Sequence, residues 1–304
     1  MKSEIVLQVI ELKKHFDQVK AVDGINFSIT KAEIFGFLGP NGSGKTTTIG
    51  MILGLIHPTS GIVRLFGHPV SPFQPSPLRR VGSLVGAPSL VPYLSARQNL
   101  EMIGRIYPEG DGLRIEEILA EVGLTRFANR KVGSFSTGMK QRLGLGMALM
   151  HKPELLILDE PTNGMDPSGM HEVRNLLVKL VDQGVTIFLS SHLLHEIEQI
   201  CDRVAVIKEG KIVAQGKVED LVGQKSIVKV RVESPRQAAQ LIRNLPGRGR
   251  VRVHGEYVTV NGISSEVVIG HLVANGLIPS EVTNGSLDLE AIFLELTNQA
   301  AVEV

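Results

Sequence analysis

Residues 39–47 read GPNGSGKTT, a GxxxxGK[ST] pattern that follows an apolar run and leads into the helical stretch TTTIGMILGL. That spacing suits a polyphosphate. Gly39, Gly42 and Gly44 permit a backbone that turns successive N–H groups inward, with Pro40, Asn41, Ser43 and Thr47 completing the loop, and Lys45 adds a point charge. The helix that starts there contributes the positive end of its dipole, and Thr46 offers a hydroxyl to Mg2+. A glycine-rich turn with a surface lysine is the plain alternative, and the apolar run before it and the helix after it speak against that.

Two further stretches carry chemistry. LLILDE (155–160) ends in Asp159, suited to holding a metal's water shell, and Glu160, suited to polarising an attacking water. Alone, such a pair reads as a solvated strand end; downstream of a phosphate loop it reads as the metal- and water-handling pair. FSTGMKQRL (135–143) offers Ser136 as a helix N-cap, and Thr137 and Gly138 leave the backbone accessible. This is a second anion-binding helix start, although residues 39–47 already cradle one triphosphate. The economical expectation is that each loop serves a different chain; an ordinary capped helix stays open as the alternative.

These groups need strands that end together. GINFSI (24–29) alternates apolar and polar residues, as a half-exposed antiparallel strand does, whereas EIFGFLG (33–39) is a nearly continuous apolar run. LLILDE and VTIFLSSH (185–192) are likewise apolar runs with polar carboxyl ends. Ligands of open α/β sheets lie beyond the carboxyl ends of the strands, so these endings should converge on one site. Helical patterns fall at 95–107, 136–150 and 167–183.

The ordered set GPNGSGKTT, STGMKQRL, LLILDEPTNGMDP and SSH resembles the ATP-binding-cassette family over residues 4 to 222, and its wording is similar to that of the multidrug, bacitracin and lantibiotic exporter-type ATPases. The resemblance implies an α/β fold: a P-loop cassette with a mostly parallel sheet, an antiparallel β subdomain and a helical subdomain. It implies ATP and Mg2+ as cofactors, with Thr46 and Asp159 at the metal. Phe16 would stack on adenine, a role in which its polar flanks favour exposure over a core position. His192 would reach the γ-phosphate, and Ser136 and Gly138 would meet the ATP of an opposing subunit. A homodimer sandwiching two nucleotides follows, docked on a separate polytopic membrane permease at the cytoplasmic face of the membrane. The catalytic set is then Lys45, Glu160 and His192. One position departs from the family: alignment on VG and AP puts Gly86 where a Gln or Glu is usual, so Gly86 is left out of that set. Residues 86–107 match the surface that receives the membrane partner.

Composition narrows the alternatives. At 304 residues and 43% hydrophobic content the chain can bury a full core. Its apolar runs fall well short of the ~20 residues a membrane span needs, and the N-terminus lacks the order of a signal peptide. The single cysteine, Cys201, fits a reducing compartment. A formal net charge of +1 gives no reason to expect nucleic acid. Residues 1–224 are expected to form the nucleotide-binding domain and 225–304 a small accessory α+β domain. There SIVKVRVES, PRQAAQLIRNL, GRVRVHGEYVTVNG and SSEVVIGHLVANG read as strand, helix, strand pair and helix, with DLEAIFLELTNQA as a last helix. The alternating basic residues there read as the solvated face of a sheet. A soluble ATPase of the same family with a non-transport role is the competing function, and a P-loop kinase a further one, which would not need STGMKQ or the histidine.

Overall fold

The structure is a computed structural model that describes residues 4–71, 76–106, 112–223, 226–245 and 250–286. The chain divides into two compact units, Met1–Gln215 and Gly216–Val304.

In the first unit β1 (Ile5–Phe16) and β2 (Val19–Thr30) form a long antiparallel hairpin, followed by β3 (Ile34–Leu38) and α1 (Lys45–Ile52). Next come β4 (Ser60–Leu65), the two-residue β5 (His68–Pro69) and β6 (Val81–Leu84). Helices α2 (Ala96–Gly104), α3 (Gly112–Glu121) and α4 (Thr137–Leu149) lead to β7 (Leu155–Asp159), α5 (Pro167–Asp182) and β8 (Thr186–Ser191). The unit closes with α6 (Leu194–Ile200) and β9 (Arg203–Lys208), and β10 (Lys211–Lys217) runs across its boundary.

Two sheets make the core. The antiparallel sheet runs β2-β1-β4-β5 and the six-stranded sheet β10-β9-β3-β8-β7-β6, in which β9, β3, β8, β7 and β6 are mutually parallel. Every residue of β3, β7 and β8 is buried, as expected for parallel strands covered on both faces. The sheets meet through Phe27 of β2, which lies 5.5 Å from Phe35, 5.5 Å from Phe37 and 5.9 Å from Phe188, ring centre to ring centre. Aromatic packing of this kind fixes one sheet against the other and thereby the edge where the strands end.

That edge is set by register. Leu38 pairs with Ser191 and Asp159 with Ser190. Hence Gly39, Glu160 and His192, each the residue after its strand, emerge side by side. This is the convergence the apolar runs imply.

The second unit contains α7 (Val218–Gly223), β11 (Ser226–Arg231), α8 (Pro235–Arg243), β12 (Arg250–His254), β13 (Tyr257–Asn261), α9 (Ser265–Ala274) and β14 (Glu281–Ser286). Its strand order, β12-β13-β11-β14, with antiparallel neighbours, is the split βαββαβ arrangement. Val228, Val230, Val258 and Val260 face the buried side with Val268 and Leu272 of α9. The basic residues lie on the other side: Lys229 is exposed over the Tyr257 ring, and Arg231 pairs with Glu256. The sequence reading omits β14. EVTNGS carries Asn, Gly and Ser, poor strand formers, and pairs with β11 through backbone hydrogen bonds that composition does not announce. The last helix read in the sequence, DLEAIFLELTNQA, lies outside the described residues.

Candidate functional site

The loop between β3 and α1 is shaped by close backbone approaches. Gly44 caps α1 with φ 109°, and a Cβ there would stand 2.4 Å from the Ala21 carbonyl oxygen. A Cβ on Gly39 would meet the Ile207 carbonyl at 2.4 Å. No side chain fits either place, and the β1–β2 hairpin is thereby seated on the loop. Pro40, Asn41 and Gly42 are exposed, Thr47 is half-buried, and Ser43 is buried with no hydrogen-bond partner for its hydroxyl.

Lys45 is 5% exposed and its Nζ donates to the carbonyls of Gly39 at 2.7 Å and Pro40 at 3.2 Å. The same ammonium lies 3.3 Å from Glu160 Oε1. The second carboxylate oxygen of Glu160 meets His192 Nδ1 at 2.6 Å. Thr46 Oγ1 donates to Asp159 Oδ2 at 3.0 Å, and Ser190 Oγ donates to Asp159 Oδ1 at 2.5 Å. Glu160 adopts φ 52°, a left-handed backbone rare for residues other than glycine, and its N–H is directed at the Ser190 carbonyl at 3.1 Å and hydroxyl at 3.2 Å. Lys45, Thr46, Asp159, Glu160 and His192 thus form one connected cluster at the carboxyl edge of the sheet.

The cluster has a supporting layer that motif reading missed. Ser190, one of two serines at the end of β8, braces both acids, and nothing in SSH by itself assigns it that role. Behind it Thr162 Oγ1 donates to buried Glu196 Oε2 at 2.6 Å, tying the loop after β7 to α6. Neither residue belongs to a phosphate-loop pattern.

Ser136 and Gly138 sit elsewhere in the chain's contacts. Ser136 Oγ caps α4 by accepting from the Met139 N–H at 3.2 Å, and Ser136 and Thr137 are exposed. The neighbours of this turn are in the loop after β7: Thr137 Cγ2 lies 3.4 Å from where a Cβ on Gly164 would be, and Met165 Cγ lies 3.8 Å from the corresponding point on Gly138. Phe16, at the end of β1, is 47% exposed, and Gly86 lies beyond β6 with φ 65° and open space around it. A groove of about 330 Å3 beside Gly86 is lined by Val85, Pro88, Ile103, Gly144, Met147 and His151, among others. Burial holds the His151 imidazole below its ordinary pKa, against a contact from Nε2 to the Val81 carbonyl at 3.1 Å.

Residues 22–163 match the family model described as ABC transporter. The chain is 47% identical to the bacitracin transport ATP-binding protein BcrA of Bacillus licheniformis, over 69% of each chain. It is 36% identical to the linearmycin resistance ATP-binding protein LnrL of Bacillus subtilis (strain 168), over 97% of this chain and 99% of that one. The chain belongs to the ATP-binding-cassette transporter family. Its solved neighbours include the dimeric cassette MJ0796 in a post-hydrolysis state bound to ADP and Pi, which matches with a TM-score of 0.64 at 26% identity, covering 70% of this chain and 98% of that one. The protein is therefore a cassette of the kind that serves as the ATP-binding subunit of a transporter. Among the described residues, no helix of the cassette is long and apolar enough to cross a membrane.

Proposed function

We propose that this cassette hydrolyses ATP to drive a separate membrane permease, in the direction of export, and that residues 1–224 form the nucleotide-binding domain with 225–304 as an accessory domain. The observation that carries the reading is the arrangement of Lys45, Thr46, Asp159, Glu160 and His192 as one cluster, with Ser136 exposed and Gly138 half-buried in a turn outside it.

Roles follow from chemistry. The backbone N–H groups of residues 39–47 and the Lys45 ammonium hold the β- and γ-phosphates, and Phe16 offers its exposed ring to adenine. Thr46 and Asp159 present an all-oxygen donor pair already within 3.0 Å of each other, which fits a hard cation such as Mg2+. When bound, that ion neutralises charge on the phosphates. Glu160 accepts a proton from the attacking water, and His192, hydrogen-bonded to Glu160, stands ready to donate toward the charge developing on the transferred phosphoryl group. Ser136 and Gly138 contribute N–H and hydroxyl groups to the ATP of a second copy, so two half-sites complete each other in a homodimer. The BcrA and LnrL relatives, named for bacitracin transport and linearmycin resistance, support the export reading.

Membrane coupling is assigned to the groove beside Gly86 and to Tyr93, Met102 and Ile106, exposed apolar residues of the same segment. With no side chain at 86, contact there is made by backbone and by Pro88. The placement is peripheral, on the cytoplasmic face of the membrane.

Specific ATPase activity measured against protein concentration tests the central claim. It should rise with concentration as dimers form, and a rate per chain that stays constant down to fully monomeric protein would overturn it.

A further inference from the structure

The platform assigned to adenine has a second component. Lys14 lies under the Phe16 ring, with Nζ 4.8 Å from the ring centre. The same ammonium donates to the His57 carbonyl at 2.9 Å, on the loop that leads into β4. That loop also grips the strand around Lys14: the Thr59 N–H donates to the Lys13 carbonyl at 2.8 Å, and the His15 N–H donates to Thr59 Oγ1 at 3.0 Å. A surface lysine ordinarily samples many rotamers; this one is tied at its tip and along its backbone.

The location matters as much as the contact. Phe16 pairs with Val19 across the hairpin, and Ala21, two residues further on, is the residue whose carbonyl rests on Gly44. The ring is therefore carried by the segment that abuts the phosphate loop. One face meets a cation while the side chain remains 47% exposed. A cation held within about 6 Å of an aromatic face is attracted to the electron-rich centre of the ring. It restrains the ring's rotation and draws π density toward itself, leaving the opposite face less electron-rich and better matched to a purine.

We propose that Lys14 is a positioning residue for the nucleotide base: it holds and polarises Phe16 so that the ring's free face receives adenine. The inference rests on the reading of Phe16 as the adenine platform.

Equilibrium binding of ADP to the full chain, with KM and kcat for ATP, tests it in Lys14→Met, Lys14→Arg, Phe16→Ala and the Lys14→Met/Phe16→Ala double variant. Inorganic tripolyphosphate serves as a base-free probe of the phosphate loop. Lys14→Met should weaken ADP binding and raise KM by about two- to five-fold, the size expected of an exposed cation–π contact, with kcat little changed. Lys14→Arg, whose guanidinium also stacks on rings, should restore binding. In the Phe16→Ala background the lysine substitution should add nothing, and tripolyphosphate should bind all variants alike. If Phe16→Ala weakens ADP binding but Lys14→Met does not, the inference falls and the platform stands. If Phe16→Ala has no effect, the platform itself is wrong. Loss of tripolyphosphate binding in Lys14→Met would place the lysine's effect in the fold or on the phosphates and would also overturn the proposal.

Discussion

The cluster around Lys45 and the turn at Ser136 are both proposed to meet phosphate, yet they are wired differently. In the first, every charged group already has a partner inside the chain: Lys45 with Glu160, Glu160 with His192, Thr46 and Ser190 with Asp159. In the second, the Ser136 hydroxyl turns back on its own helix, and the adjoining Thr137 is exposed. A preformed network supplies orientation without cost at the moment of reaction. An open helix start supplies a place for something that arrives from outside. The difference teaches that, on the proposed reading, catalysis and assembly fall to two separate surfaces of one chain.

The comparison breaks most visibly at Glu160. Glu160→Gln should retain ATP binding and lower turnover by about 100-fold or more, the loss expected when a general base is removed; a variant hydrolysing near the wild-type rate would remove Glu160 from that role. Gly138→Asp probes the other surface. Among the described residues beyond its own helix, the atom nearest the added Cβ is Met165 Cγ at 3.8 Å, so the fold should tolerate the change. A carboxylate facing an incoming triphosphate should nonetheless lower ATPase activity by about ten-fold or more while ADP binding to the single chain is kept. Unchanged activity would mean that the turn serves no second nucleotide. A third substitution, Ser190→Ala, removes the brace of the wired cluster and leaves buried Asp159 with one donor fewer. Urea denaturation should show a loss of about 1.5–3 kcal/mol, since the bond is to a charged group.

The smallest effect is expected at His151, two residues beyond α4. Burial lowers its pKa in the folded state, so the unfolded chain binds the proton more readily. Stability from this group is therefore complete above the ordinary histidine value of about 6.5 and is lost as pH falls below it. His151→Gln should flatten the fall in melting temperature between about pH 7.5 and 5.5. An unaltered profile would show that another group governs that window.

Much of the proposed division rests on what the residues themselves make legible. Gly39 to Thr47, Asp159 and Glu160 announce their chemistry because phosphate and metal binding demand particular residue types at fixed spacing. The parallel strands announce themselves because burial on both faces leaves unbroken apolar runs, as in LLILD and IFGFL. What escaped notice works through geometry. Ser190 looks like any polar residue until the register of β7 against β8 puts it beside Asp159. Lys14 looks like one of a basic run until the His57 loop folds over to fix it. Tyr257, lying between Lys229 and Arg231, becomes visible as their neighbour only once β13 is paired with β11.

Glu160 carries one more consequence. Its left-handed backbone, at φ 52°, is a conformation that glycine adopts freely and that costs an ordinary L-residue roughly 1–2 kcal/mol. Selection for a sturdier fold would favour glycine there, whereas the role proposed for Glu160 in turnover requires the acid. If Glu160 is the base, the chain keeps a permanent weak point at its own reaction centre, and compensation for it has to come from the surrounding packing.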